Sequence, residues 1–133
     1  MTEKELCQKA MDMLQRSYVP YSHFPVGAAL ECEDGTVYTG CNIENASYTP
    51  TVCAERSAFF KAVYDGHREF VAIAVCGGKD GVITGAFPPC GVCRQVIREF
   101  APELEIICLN EAGDAKHFTL PDLLPHGFGG EFL

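Results

Sequence analysis

A continuous apolar segment in the middle of the chain, Phe-Val-Ala-Ile-Ala-Val-Cys at residues 70–76, constrains the fold more than any other feature. A run without polar alternation is typical of a central strand that is buried on both faces of a sheet. Burying both faces requires further layers of structure on each side. The segment therefore predicts an α/β fold in which helices cover both faces of a sheet.

Periodicity and turn signals predict the remaining elements. They are helices over 3–16, 53–64 and 91–100, strands over 25–32, 36–41, 104–109 and 116–119, and a helical turn over 121–124. The dipeptide Asp34-Gly35 predicts a two-residue hairpin between the first two strands. A hairpin followed by alternating strands and helices favours one domain, residues 1–133, built as a three-layer α/β/α sandwich around a mixed five-stranded sheet.

The charge balance restricts the partners of the chain. There are 18 acidic and 10 basic residues, for a net charge of −8 at pH 7, and no basic run occurs. Because an acidic surface repels phosphate backbones, we expect small molecules and no nucleic-acid polymer as partners. The sequence contains no run of about 20 apolar residues, so we predict no membrane span. Residues 1–5, MTEKE, lack the features of a secretory signal, so we expect a cytoplasmic protein.

The chain contains eight cysteines, an unusual number for 133 residues. An even cysteine count predicts disulfides mainly in short secreted chains, whereas clustered cysteines in a cytosolic protein indicate metal binding or catalysis. Isolated cysteines behave as small buried hydrophobic residues. We interpret five of the eight as such unbound thiols, namely Cys7, Cys32, Cys41, Cys76 and Cys108.

The other three cysteines occur where two predicted helices begin. Residues 51–56, TVCAER, supply Cys53, and residues 88–95, PPCGVCRQ, supply Cys90 and Cys93. A helix N-terminus stabilises a thiolate, and thiolates are zinc ligands. Because catalytic zinc sites keep one of four positions for water, a set of three ligands predicts a catalytic site. A structural zinc site completed by a further cysteine or histidine is the alternative.

Glu55 favours the catalytic interpretation. It follows Cys53 by two residues, where a carboxylate can take a proton from a metal-bound water and pass it on. Together, Cys-Ala-Glu at residues 53–55 and Pro-Cys-Gly-Val-Cys at residues 89–93 match the zinc deaminase signature in its all-cysteine form. Arg56 and Arg94 are candidate cations that would draw negative charge from the sulfur atoms.

The sequence resembles the small homotetrameric cytidine deaminases of pyrimidine nucleoside salvage over nearly its whole length. Besides the two cysteine segments, the resemblance rests on residues 20–30, PYSHFPVGAAL, residues 40–48, GCNIENASY, and residues 123–129, LLPHGFG. It implies the cytidine deaminase fold, one zinc ion per subunit and a homotetramer. It also implies hydrolytic deamination of cytidine and 2′-deoxycytidine, in which zinc-bound hydroxide attacks C4 and a glutamate transfers the protons.

The resemblance further implies a role for individual residues. Cys53, Cys90 and Cys93 would bind zinc, Glu55 would be catalytic, and Arg56 would hydrogen-bond the thiolates. In the substrate site, Phe24 would pack against the nucleoside, Asn42 and Glu44 would bind the ribose 3′-hydroxyl, and the Ala54 N–H would meet the base carbonyl. Tyr48 and Phe128 would reach a neighbouring subunit's site.

Two other functions stay open at this point. One is deamination of another aminopyrimidine compound, such as a nucleoside antibiotic. The other is a zinc-stabilised binding module without catalysis.

The chain also departs from the family pattern at Pro88, where the family has serine or threonine. Proline retains the backbone carbonyl that is expected to receive the departing amino group.

Overall fold

The computed structural model describes residues 1–133. Its strands are β1 (Val26–Cys32), β2 (Val37–Cys41), β3 (Phe70–Gly77), β4 (Glu105–Leu109) and β5 (Ala115–Thr119). They form one sheet in the order β2-β1-β3-β4-β5. The pair β3 and β4 is parallel, and the other neighbouring pairs are antiparallel. The predicted mixed five-stranded sheet is therefore confirmed.

Four α-helices connect or flank the strands. They are α1 (Glu3–Asp12), α2 (Ala54–Tyr64), α3 (Gly91–Phe100) and α4 (Leu120–Leu123). Short 3-10 turns occur at Met13–Arg16, Lys79–Gly81 and Gly130–Phe132. None of these helices combines the length and apolar composition needed to cross a bilayer.

The sheet separates two hydrophobic cores. Residues of α2 and α3 pack against one face, and residues of α1 pack against the other. Within β3, Ile73 and Val75 belong to the first core, whereas Ala72, Ala74 and Cys76 belong to the second. This strand is therefore buried on both faces, as its unbroken apolar sequence predicts.

Two local predictions differ from the structure. The helix predicted over 3–16 is α-helical only to Asp12 and continues as a 3-10 turn to Arg16. The two-residue hairpin is wrong, because the turn also includes Glu33. The N–H of Gly35 donates to the Cys32 carbonyl at 3.0 Å, and Gly35 has a φ of 91°. A three-residue hairpin loop places glycine in this left-handed conformation at its last position.

A close approach between β2 and α2 fixes the start of α2. A Cβ atom at Gly40 would lie 2.2 Å from the Ala54 carbonyl oxygen and 2.7 Å from the Ala58 nitrogen. Only glycine permits the helix to approach the strand this closely. Because α2 begins beside Cys53 and Glu55, this contact also sets the position of the candidate site.

We expect Gly40→Ala to lower the free energy of unfolding by about 1–3 kcal/mol, since the added methyl group forces the helix from the sheet. Urea unfolding followed by circular dichroism measures this loss. Gly85→Ala is the matched control, because a Cβ at Gly85 would meet no atom within 4 Å. Equal stability of the two variants would contradict the prediction.

Candidate active site

Three cysteine sulfurs converge where α2 and α3 begin. Cys53 is the N-cap residue of α2 and Cys90 is the N-cap residue of α3, and both have extended backbone conformations. Cys93 lies in the first turn of α3 and is fully buried. The three Sγ atoms lie within 4.8 Å of one another, and those of Cys53 and Cys90 are 3.6 Å apart. The structure thus brings together the three cysteines that the sequence predicts as ligands.

The spacing of these sulfurs fits zinc. A tetrahedral site with Zn–S bonds of about 2.3 Å places its sulfurs about 3.8 Å apart. The 3.6 Å separation of the Cys53 and Cys90 sulfurs is close to this value. The group contains three potential ligands and no fourth cysteine or histidine. The alternative of a structural site with four ligands from the chain therefore lacks its fourth member.

The sulfurs of Cys53 and Cys93 are hydrogen-bonded to each other, which changes the pKa of both. The pKa of Cys53 is lowered to about 5, chiefly by a hydrogen bond from Cys93 and further by Arg56, against the effect of burial. The pKa of Cys93 is raised because this thiol donates to Cys53 and is itself buried. The hydrogen bonds that Cys53 accepts thus favour its thiolate form.

Ala54 and Glu55 are the first two residues of α2. The N–H of Ala54 has no partner within the helix and is free to donate to a ligand. The Glu55 residue is only 3% exposed. Burial is the main cause that raises the pKa of Glu55 to about 7, and the nearby Cys53 sulfur raises it further. A carboxyl group with a pKa near neutrality can both accept and donate a proton in one reaction.

The two arginines predicted to face the sulfurs behave differently. Arg56 donates from Nη2 to the Cys53 sulfur at 3.3 Å, which places its positive charge against the thiolate. Arg94 instead donates to the Pro89 and Leu123 carbonyl oxygens, at 2.7 Å each. The prediction for Arg94 is therefore wrong. Its guanidinium links the loop before α3 to the end of α4, where the C-terminal segment (residues 123–133) begins.

Asn42 follows β2, and its side chain holds the start of β1. Its Oδ1 accepts a hydrogen bond from the Val26 N–H at 2.9 Å, and its Nδ2 donates to the Phe24 carbonyl at 2.9 Å. A side-chain amide has two donor hydrogens and two acceptor lone pairs. Asn42 therefore retains one donor and one acceptor position with which it could bind a ligand.

Glu44 is held by three donors from the segment before β1. Its Oε1 accepts the backbone N–H groups of Tyr21 and Ser22 at 3.1 Å each, and its Oε2 accepts the Ser22 hydroxyl. Burial opposes ionisation, but the hydrogen bonds from Ser22 and Tyr21 and the charge of His23 together outweigh it and lower the pKa of Glu44. The carboxylate lines a shallow cavity of about 430 Å³ with Tyr21, Ser22, Tyr48 and Thr51.

The aromatic residues predicted to contact a substrate range from half-buried to largely exposed. Phe24 is half-buried and makes an edge-to-face contact with Phe87, with ring centroids 5.7 Å apart. Tyr48 is 71% exposed. Phe128 lies on the C-terminal segment, where its ring stacks on that of Phe132. Tyr48 and Phe128 are therefore accessible to a neighbouring molecule.

Comparison with protein families gives a match over most of the chain. Residues 1–109 match the family described as the cytidine and deoxycytidylate deaminase zinc-binding region. The chain belongs to this deaminase family. This family is described as zinc-binding, and the cluster of three cysteine sulfurs is suited to hold zinc.

Individual relatives support membership of the deaminase family over the full length. The chain is 48% identical to a cytidine deaminase of Sporosarcina psychrophila, covering 100% of this chain and 96% of the relative. It is 46% identical to a cytidine deaminase of Burkholderia pseudomallei of known structure, with a TM-score of 0.88 and coverage of 96% and 100% of the two chains. A cytidine deaminase of Mycobacterium tuberculosis is 38% identical with a TM-score of 0.80, covering 97% and 98%. These likenesses confirm the predicted fold.

Two residues of this deaminase-family chain were not assigned by sequence reasoning. Ser22 supplies two of the three donors to Glu44, although the two residues are 22 positions apart. Phe87 packs against Phe24 from the loop before α3. The segment containing Ser22 belongs to the resemblance, but neither residue type by itself predicts these contacts.

Proposed function

We propose that the chain catalyses zinc-dependent hydrolytic deamination of cytidine and 2′-deoxycytidine to uridine and 2′-deoxyuridine, with release of ammonia. The observation that carries this proposal is the convergence of Cys53, Cys90 and Cys93 where α2 begins with the buried Glu55. A relative named cytidine deaminase, 48% identical over the whole chain, supports the choice of cytidine.

Glu55 performs the proton transfers in this proposal. Zinc held by the three cysteine sulfurs supplies the Lewis acidity that makes water a competent nucleophile at neutral pH. Glu55 accepts a proton from the attacking water and donates it to N3 of the pyrimidine, which makes C4 electrophilic. The oxygen of the water then bonds to C4. Glu55 moves the remaining proton of this new hydroxyl group to the amino group, the C4–N bond breaks, and ammonia leaves toward the Pro88 carbonyl while C4 becomes the carbonyl carbon of the product. The almost complete burial of Glu55 keeps bulk water from exchanging protons with it between the two transfers.

Arg56 acts on the electrostatics of the metal site. Three thiolates and one Zn²⁺ sum to a charge of about −1, which weakens the Lewis acid. The hydrogen bond from Arg56 to the Cys53 sulfur and the two helix N-termini offset this negative charge.

We expect Arg56→Ala to lower kcat by about 10–100-fold while most of the zinc stays bound, as is typical for partners of metal ligands. Ammonia release and zinc content, measured on the same sample, test this. Arg68→Ala is the control, because Arg68 binds the backbone carbonyls of Val63 and His67 at the C-terminal end of α2, away from the sulfurs at its beginning. Unchanged turnover in Arg56→Ala would remove Arg56 from the mechanism.

Nucleoside recognition is assigned to the surrounding residues. In this proposal Phe24 packs against the nucleoside and the Ala54 N–H meets the base carbonyl. Asn42 and Glu44 bind the ribose 3′-hydroxyl. Glu44 is held ionised by its three donors, so it can only accept a hydrogen bond and repels a phosphate at that position.

A substrate panel tests this function. The zinc-loaded protein should release ammonia from cytidine and 2′-deoxycytidine, and much less from free cytosine or cytidine monophosphate. A site built to hydrogen-bond a hydroxyl group discriminates strongly against a substrate that lacks it. A higher rate with another aminopyrimidine, such as a nucleoside antibiotic, would contradict the proposed substrate. No reaction with any of them would favour a binding module.

We further propose that the chain acts as a homotetramer in the cytoplasm, with Tyr48 and Phe128 reaching a neighbouring subunit's site. Several large apolar side chains are exposed in the single chain, and contiguous groups of such side chains mark interaction surfaces. The exposed side chains include Tyr48, Phe60, Tyr64, Val71, Val92, Phe128 and Phe132.

A further inference from the structure

The C-terminal segment is attached to α3 by three side chains of that helix. Arg94 donates to the Leu123 carbonyl at 2.7 Å, and Gln95 donates to the Phe128 carbonyl at 2.9 Å. Farther along the helix, Arg98 forms an ion pair with Glu131. These contacts join residues 29 to 33 positions apart in the sequence. They fix the segment at its beginning, middle and end.

The backbone at Gly129 also lies close to the side chains of Arg98 and Glu131. A Cβ atom there would lie 2.9 Å from Arg98 Cζ and 2.5 Å from a carboxylate oxygen of Glu131. A side chain at this position would displace the ion pair. Glycine at position 129 therefore leaves room for the ion pair between Arg98 and Glu131.

The aromatic side chains of the segment are nevertheless left outside. Phe128 is 55% exposed and Phe132 is 68% exposed, and their rings stack at 5.6 Å with an interplanar angle of 17°. A backbone held by polar contacts thus presents an apolar aromatic pair to the outside. Presenting a side chain in a fixed position lowers the entropy that is lost when it docks.

We propose that Gln95 and Arg98 are positioning residues that hold the C-terminal segment so that Phe128 docks in the nucleoside site of a second copy of this chain. This inference rests on the proposed homotetramer and on the proposed role of Phe128. The helix that positions the segment also begins with two of the three cysteines of its own site. One helix therefore serves the metal site of its own subunit and the substrate site of a neighbour.

The inference predicts a change in KM rather than in kcat. We expect Gln95→Ala and Arg98→Glu each to raise KM for cytidine about fivefold, as for the loss of one hydrogen bond or ion pair. The kcat and the zinc content should stay within about twofold of the unmodified protein, since neither residue touches the sulfurs or Glu55. Glu99→Gln is the matched control, because Glu99 is exposed on the same helix and should leave KM unchanged.

Charge exchange tests whether the ion pair itself positions the segment. Combining Arg98→Glu with Glu131→Arg restores the attraction with reversed charges and should bring KM back to within about twofold of its original value. Arg98→Lys, which retains the charge, should also preserve KM. A double variant that keeps the raised KM of Arg98→Glu would contradict an action through Glu131.

Phe128→Ala separates this inference from the proposed function. Phe128→Ala alone should raise KM, and adding Gln95→Ala should raise it no further, because the positioned ring is already absent. If Phe128→Ala leaves KM unchanged, the proposed role of Phe128 is wrong. If it raises KM but Gln95→Ala and Arg98→Glu do not, the positioning role is wrong. Equal effects of Gln95→Ala with and without Phe128 would also contradict it.

Discussion

Glu55→Gln is expected to lower kcat for cytidine by at least about 10⁴-fold, because each of two proton transfers contributes about 10²–10⁴-fold. Glutamine preserves the size of the side chain at a site where the residue is almost completely buried. It can neither accept a proton from water nor deliver one to the pyrimidine. The loss should therefore fall on the chemical steps, with the fold and the zinc content preserved.

Ammonia release under saturating cytidine, normalised to zinc content, measures this effect. Glu103→Gln is a matched control, because the same chemical change is made at an exposed position between α3 and β4. Its kcat should equal that of the unmodified protein. A Glu55→Gln variant that holds one zinc per chain and retains a tenth or more of the original kcat would contradict the proton-transfer role.

Cys93→Ser is expected to weaken zinc binding by at least about 100-fold and to abolish turnover at limiting zinc. Thiolate is the zinc ligand in such sites, and a serine hydroxyl has no comparable tendency to ionise or to bind zinc. Changes to partners outside the ligand shell already lower metal affinity about 10–100-fold, so loss of a ligand should exceed that range. Cys93 is fully buried, so no side chain from the surface replaces it readily.

Zinc per chain after dialysis against a weak chelator tests this prediction. Cys76→Ser makes the same change at a fully buried cysteine of β3 that lies in the core against α1. That control should lower stability, because a hydroxyl enters an apolar core, but it should keep one zinc per chain. Retention of a full equivalent of zinc by Cys93→Ser would show that the cluster is not the zinc site.

Local sequence patterns predicted most of the fold because they reflect local physics. The unbroken apolar sequence of β3 required burial on both faces, and the structure has a core on each side. The helix predicted over 91–100 has the same bounds in the structure. The hairpin length was mispredicted because Asp34-Gly35 is compatible with two loop geometries, and only the pairing of β1 with its neighbours selects one of them.

The candidate site could be predicted only where its residues form a short motif. The cysteines and Glu55 belong to two segments that each begin a helix, and this fixes their spacing. Contacts between distant segments left no such signal. The hydrogen bond from Ser22 to Glu44 and the hydrogen bond from Arg94 to the Leu123 carbonyl both result from the tertiary packing of half-buried side chains. Local periodicity carries no information about such pairs, and the prediction for Arg94 was wrong for that reason.

Zinc titration of the metal-free protein in the presence of cytidine tests the central claim most directly. The claim is that three cysteine sulfurs hold one zinc ion beside Glu55 and that this unit deaminates cytidine. Ammonia release should rise in proportion to added zinc and reach its plateau at one zinc per chain. Full activity without zinc, or one tightly bound zinc per chain without any reaction of cytidine, would contradict it.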